Sequence, residues 1–304
     1  MPKINYSCLF SIIIPHYNDV EGLFACLQGL HQQEGGLSFE VIVVDDCSDL
    51  DIAREVNEQY PQVVFQRLSR KSGPGAARNR GVSLAGGEIL AFIDSDAVPN
   101  PAWLKSLKAE FDRGAVIVCG PVRHEDSFWA RMTALTAFGE YLDDRDGYRE
   151  HCSSANYAIT ARTMSSFSYD ETIPFAGEDV LLSTQFVMAG LKIRYLSAVW
   201  VLHRPSLSAR QYFRRAFVYG LGFRSSRARC KKLAGYALHK YLRAVSAVPL
   251  FIIRSTLDCL RLVRLRKELA VDLWQFPLFV GGIICTRVIY AMGAATGYAG
   301  RDRG

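Results

Sequence analysis

The chain has 304 residues, 49% hydrophobic and 22% charged, enough for a substantial core and unlike a disordered or fibrous protein. Residues 1–203 carry 17 Lys+Arg against 26 Asp+Glu, a net of −9, while residues 204–304 carry 19 against 4, a net of +15. The basic part therefore suits an anionic partner: nucleic acid, a phosphate-bearing substrate or an anionic membrane face. The eight cysteines, at positions 8, 26, 47, 119, 152, 230, 259 and 285, form no CxxC, and most lie in apolar runs. That argues against a disulfide framework or a zinc site and for reduced thiols in a cytosolic compartment.

In chain order, the N-terminal run CLFSIII ends at Pro15 without a cleavage-site pattern and reads as a strand, not a signal peptide. Strands are expected at 9–15, 39–46, 63–69, 88–96 and 115–122, all short, apolar and β-branched. Helical spacing separates several of them, with Leu23, Leu27 and Leu30 on one face and Trp103, Leu104, Leu107 and Phe111 on another. Continuous apolar strands alternating with helices predict a mostly parallel sheet covered on both faces. Polar residues recur where these strands end: His16-Tyr17-Asn18, Asp45-Asp46 and Asp94-Ser95-Asp96. In open sheets, ligands bind beyond the carboxyl ends of the strands, so three such clusters predict one site.

A long helix is expected at 128–142, and a helix within 175–190 carries Glu178 and Asp179 in its first turn, where the macrodipole favours negative charge. The run 192–203 reads as a strand ending in His203, and from Ser208 the chain reads as helical, basic and aromatic. Glu140, Asp143, Asp144 and Asp146 read as a solvated helix end.

A D-x-D at a strand end suits Mg²⁺ or Mn²⁺, which accept one or two carboxylates together with phosphate oxygens. Such an ion neutralises a diphosphate leaving group. The segments SIIIPHYND, VIVVDDCSD, SGPGAARNRG, FIDSDAVPNPAWL, SSANYAITA and FAGEDVLLSTQFVMAGLKI follow in order. Together, over residues 9 to about 203, they resemble the family 2 inverting glycosyltransferases of the GT-A fold.

The resemblance implies an α/β, Rossmann-like catalytic domain over residues 1–205, with a helical extension over 206–304. It also implies transfer of a single sugar from a nucleotide-sugar donor to a glycan or lipid-linked acceptor. Pro15 and Tyr17 match the segment flanking the nucleoside; Asp46 would take the base edge, with Asp45 supporting its turn. Arg78 and Asn79 match the stretch lining the nucleotide pocket. Asp96 would bind the metal, with Asp94 on ribose or metal-bound water and Ser95 between them facing the nucleotide sugar. Ser154, Ala155, Asn156 and Glu178 fall on the acceptor side. Asp179 would take the acceptor hydroxyl's proton, the one base that inversion by single displacement needs. His203 stands where some GT-A enzymes place a histidine on the metal.

QYFRR (211–215) partly matches the Q-x-x-R-W of processive synthases, but Arg215 replaces the tryptophan, which argues against processive synthesis. Two other classes compete. A nucleotidyltransferase would want a glycine-rich signature after the first strand, where PHYNDVEG stands. A non-catalytic basic protein on a degenerate transferase fold would be favoured by loss of Asp96 or Asp179, and both are present.

The C-terminal part contains apolar runs at 244–253 and 276–299. The second is long enough to cross a bilayer, but Arg287 near its middle costs roughly 2.5–3.5 kcal/mol on insertion scales. With RCKK (229–232) and RLVRLRK (261–267) alongside, the expectation is helices lying in the interface against anionic head groups, at the cytoplasmic membrane face. No nucleic-acid partner is expected.

Overall fold

The computed structural model describes residues 8–142, 144–173, 176–204, 208–222, 229, 247–267 and 269–299. In chain order its elements are β1 (Cys8–His16), α1 (Val20–His31), β2 (Phe39–Asp45), α2 (Ala53–Gln59), β3 (Val63–Arg67), α3 (Pro74–Leu84), β4 (Gly87–Ile93) and β5 (Ala97–Pro99). There follow α4 (Trp103–Asp112), β6 (Ile117–Cys119), β7 (Val122–His124), α5 (Phe128–Thr136), β8 (Gly147–Arg149), β9 (Asn156–Thr160), α6 (Ala161–Met164) and α7 (Glu178–Met188). Last come β10 (Ile193–Tyr195), β11 (Val201–His203), a helix α8 over 209–222, α9 (Ala247–Leu265) and α10 (Phe276–Ala299).

The chain divides into two compact units. One comprises Met1–Val122, Asp143–Pro174 and Glu178–Arg204; the other comprises Arg123–Leu142, Phe175–Gly177 and Pro205–Gly304. The segment before Leu142, which the sequence places within a catalytic domain ending at 205, thus groups with the C-terminal residues.

The first unit is built on an eight-stranded sheet in the order β3-β2-β1-β4-β9-β6-β10-β8. Strands β3, β2, β1 and β4 run parallel, as the apolar runs at the centres of β1, β2 and β4 predict. Ile12, Ile13, Ile14, Val43, Val44, Ala91 and Phe92 are fully buried, each side chain contributing about 1.5–3 kcal/mol where it is as large as Val or Ile. Helix α3 sits unusually close to β1: a Cβ on Gly81 would fall 2.4 Å from Ile13 Cγ2. Its entry is set by Gly73, at φ 93°, and by Pro74 at the first turn.

The structure departs from or adds to the sequence reading at four points. β9 enters the sheet antiparallel between β4 and β6. The run 115–122 becomes part of two strands, and 192–203 splits into β10 in the large sheet and β11, which pairs antiparallel with β5. The break follows from a close crossing, where a Cβ on Gly120 would meet Val199 O at 1.7 Å. The expected helix at 128–142 ends at Thr136 and gives way to a 3₁₀ turn, Gly139–Tyr141.

The second unit is helical. Met132, Leu135, Tyr212, Leu262, Val271, Phe279 and Ile283 form its core. α8 and α10 touch at glycines, since a Cβ on Gly220 would meet Tyr290 O and one on Gly293 would meet Phe217 O, each at 2.1 Å. Arg287, which the sequence treats as a liability inside an apolar run, is buried within this unit. Its Nε donates to Asp258 Oδ2 at 2.6 Å and its NH2 to Thr136 O at 2.8 Å. The Tyr212 hydroxyl lies between Thr136 Oγ1 and Thr286 Oγ1, at 3.1 and 3.0 Å. Residues 230–232 and 244–246 of the expected basic and apolar stretches lie outside the described residues.

Candidate active site

Register places the polar clusters. His16 pairs with Asp45 across β1 and β2, and Ile93 pairs with Asn156 across β4 and β9. On the small sheet His203 pairs with Ala97, which sets His203 beside Asp96. Its Nε2 is 3.1 Å from Asp96 Oδ2, and the Asp96 carbonyl accepts from the Arg204 N–H at 2.7 Å. Asp94 is more open, its side chain 29% exposed against 13% for Asp96. Ser95 between them is buried.

Arg78, on α3, lies between the two acidic segments. Its NH2 donates to Asp94 Oδ1 at 2.6 Å and its NH1 to Glu178 Oε1 at 2.9 Å. Burial, with Asp179 alongside, pushes Glu178 up to about 7 against the opposing pull of Arg78, and its Oε2 has no hydrogen-bond partner. Half-buried Asp179 is also raised, by burial above all, with Arg78 again opposing. A carboxylate in that setting is a better proton acceptor than one in water.

The other predicted residues divide into two groups. Tyr17 is exposed, with Lys71 Nζ 3.6 Å over its ring, and Pro15 is half-buried beneath it in sequence. Asp46 accepts from the N–H groups of Ser72 and Gly73 at 2.6 and 2.8 Å, so its carboxylate fixes the glycine-containing loop that leads into α3. Asp45 is buried against Ser48 and Arg67. Asn79 donates to Tyr169 O and accepts from Tyr169 N, both at 2.9 Å.

Ser154 bonds the Tyr169 hydroxyl at 3.0 Å. Asn156 is fully buried: its amide donates to Pro121 O and Val199 O and accepts from Trp103 Nε1. A side chain with its hydrogen-bonding groups so engaged is a lock on the strand ends, not a free recognition group.

Tyr169 is the residue the sequence did not reveal. It lies under the Arg78 guanidinium, 5.5 Å from ring centroid to Cζ, and its hydroxyl also meets Tyr157 OH at 2.7 Å. Nothing local in FSYDE marks it. His16, buried with both ring nitrogens unpartnered, is depressed below the usual histidine range by burial.

The model of Glycosyl transferase family 2 matches residues 11–173, more than half of the chain. The chain belongs to glycosyl transferase family 2. Glycosyltransferase AglE of Haloferax volcanii is 37% identical over 223 residues, covering 70% of this chain and 72% of that protein. The pre-mycofactocin glycosyltransferase of Mycobacterium tuberculosis is 28% identical over 223 residues, which is 69% of this chain but 46% of that protein. The family 2 chain therefore spans under half the length of that relative.

Two solved structures share its fold. The mannosyltransferase PcManGT from Pyrobaculum calidifontis, in complex with GDP-Man and Mn²⁺, superposes with a TM-score of 0.63 at 17% identity, covering 100% of this chain and 90% of that one. Staphylococcus aureus TarS 1–349 in complex with UDP gives 0.54 at 18% identity, covering 96% and 92%. The fold is the GT-A arrangement, a mostly parallel central sheet with flanking helices and a helical C-terminal region.

Proposed function

We propose that this family 2 chain is an inverting, metal-dependent glycosyltransferase moving one sugar from a nucleotide sugar to a glycan or lipid-linked acceptor. The observation that carries the reading is the arrangement around Arg78, which bonds Asp94 of the D-x-D and Glu178 beside Asp179. A donor site and a candidate base thus share one end of one sheet.

Asp96 and His203 would hold the divalent cation. Among the described residues no group of three or more His, Cys, Asp or Glu side chains forms a ready-made cage, and this fits an ion whose other ligands are phosphate oxygens and water. When bound, Mn²⁺ or Mg²⁺ offsets the charge that grows on the departing diphosphate. Asp179 accepts the proton of the acceptor hydroxyl as its oxygen attacks the anomeric carbon. The bond to the diphosphate breaks on the opposite face, so configuration inverts. Asp94 and Ser95 face the donor, and Tyr17 flanks the nucleoside with Lys71 close by. The acceptor approaches from the side of Ser154 and Glu178.

The structural neighbours hold UDP, UDP-GlcNAc and GDP-Man. The direct test is a panel of uridine and guanosine nucleotide sugars with and without Mn²⁺, read by thermal shift and by donor hydrolysis. A ligand bound only by the folded form raises Tm with its concentration. No metal-dependent shift with any donor would sink the reading. A nucleotidyltransferase has no observation in its favour.

We propose further that the second unit attaches to an anionic membrane, at its cytoplasmic face. Among the described residues one helical segment, Leu273–Thr296, is long and apolar enough to cross a membrane by length and composition. α10 turns Phe279, Ile283 and Tyr290 inward and Leu278, Ile284 and Val288 outward, and α9 turns Leu262 inward and Leu257, Leu260 and Val263 outward. Helices apolar on opposite arcs call for apolar surroundings on both. Exposed Arg264, Lys267 and Trp274, near the turn between α9 and α10, match the head-group level of an anionic interface. Arg210 and Arg214 add an open basic cavity shared with Ser208 and Gln211.

A further inference from the structure

We infer that Arg78 and Asn79 are positioning residues, which set the spacing of the donor and base carboxylates rather than reading the nucleotide. The inference rests on the glycosyltransferase reading above but departs from the role that the family resemblance implies for this pair.

The Arg78 side chain is only 4% exposed, and both terminal nitrogens are engaged by protein carboxylates. A guanidinium presents its donors in a rigid planar fork, so two carboxylates bonded to its two ends are held at a spacing fixed by the fork itself. One of them, Asp94, sits in the turn after β4; the other, Glu178, opens α7 immediately before Asp179. Movement of α7 against the D-x-D turn must therefore break a charge-assisted bond. The fork is anchored in turn by α3, which Gly81 allows to lie against β1.

Asn79 holds the remaining wall. Its amide satisfies both the N–H and the C=O of Tyr169 and also reaches Glu171 Oε1 at 2.9 Å. That fixes the Tyr169 ring under Arg78 and its hydroxyl on Ser154. Two consecutive α3 residues thus tie the turn after β4, the Tyr169–Glu171 segment and the start of α7 into one site. Charge points the same way: among the described residues, Arg78 is the side-chain cation that pairs with both Asp94 and Glu178.

Arg78→Lys keeps the charge but replaces the rigid fork with a single ammonium, which cannot hold the two carboxylates at the spacing set by NH1 and NH2. The full-length variant should bind UDP or GDP in the presence of Mn²⁺ within about threefold of wild type by calorimetry. Its kcat for donor hydrolysis should fall by roughly 10²-fold, the scale of a 1 Å misplacement. Asn79→Ala puts the same question with less risk to the fold and should show the same split, with a smaller loss of kcat. If Arg78→Lys and Asn79→Ala lose nucleotide affinity about tenfold or more while kcat holds within about threefold, they read the nucleotide and the inference is overturned. Wild-type protein that binds neither UDP nor GDP would overturn the glycosyltransferase reading itself, and this inference with it.

Discussion

His203 Nε2 lies 3.1 Å from Asp96 Oδ2 because β11 pairs antiparallel with β5, setting His203 opposite Ala97. A histidine ending β11 and a carboxylate just before β5 are thus brought together at one edge of the three-stranded sheet, and on the proposed reading both would be ligands of the cation. Asp96→Ala should abolish metal-dependent turnover and the metal-dependent part of donor binding. His203→Ala should raise the Mn²⁺ concentration for half-maximal activity by roughly 10–100-fold if it is a ligand. Full activity of wild type in excess chelator would refute both.

Asp179→Asn preserves shape but removes the proton acceptor. Turnover should fall by roughly 10²–10⁴-fold, with nucleotide affinity kept. The reverse pattern, weakened nucleotide binding and near-normal kcat, would place Asp179 in the donor pocket.

Glu178 gives a stability test with a definite sign. Its carboxyl is lifted from 4.5 to about 7 in the folded protein, so the folded state holds more protons than the unfolded chain across that window. Its contribution to stability is therefore fully present below about pH 4.5 and is lost as pH rises through about 7. Glu178→Gln should flatten denaturant midpoints between those two pH values. A variant whose pH profile overlays that of wild type would show that Glu178 titrates normally.

Arg287 and Asp258 form a buried pair within the helical unit. Arg287→Met alone should cost up to about 3–5 kcal/mol by leaving buried Asp258 with its longer, 3.4 Å contact to Arg261, whereas Arg287→Met with Asp258→Leu should recover most of that loss. Urea midpoints of the three proteins decide it; equal losses for single and double variants would mean that the pair is not coupled.

Binding to vesicles should rise with anionic lipid content and weaken with salt, since exposed charges are screened within about 10 Å at 0.1 M. Leu278→Asp with Val288→Asp should reduce it sharply without disturbing the buried arc of α10. A full-length protein that ignores anionic vesicles at low salt and forms a stable oligomer would assign this face to a protein interface.

The fold was legible because parallel strands buried on both faces must be continuously apolar, and β1, β2 and β4 announce themselves by that rule with their polar residues gathered at one end. The candidacy of Asp94, Asp96 and Asp179 as chemistry-bearing groups was equally local, a matter of carboxylates where a core strand or an apolar helix surfaces. What no local pattern could supply was partnership. The family resemblance puts Arg78 in the stretch lining the nucleotide pocket, and only packing of α3 on β1 shows that it joins Asp94 to Glu178. Tyr169 carries no signal, because its role comes from lying under a residue distant in the sequence. Asn156 reads as a polar group near an acceptor, yet the crossing of the 121 and 199 backbones absorbs it. Arg287 reads as a charge stranded in an apolar run until Asp258 arrives from another helix. Sequence periodicity reports which face of an element is buried; it does not report what lies opposite, and charges are given their meaning by what lies opposite.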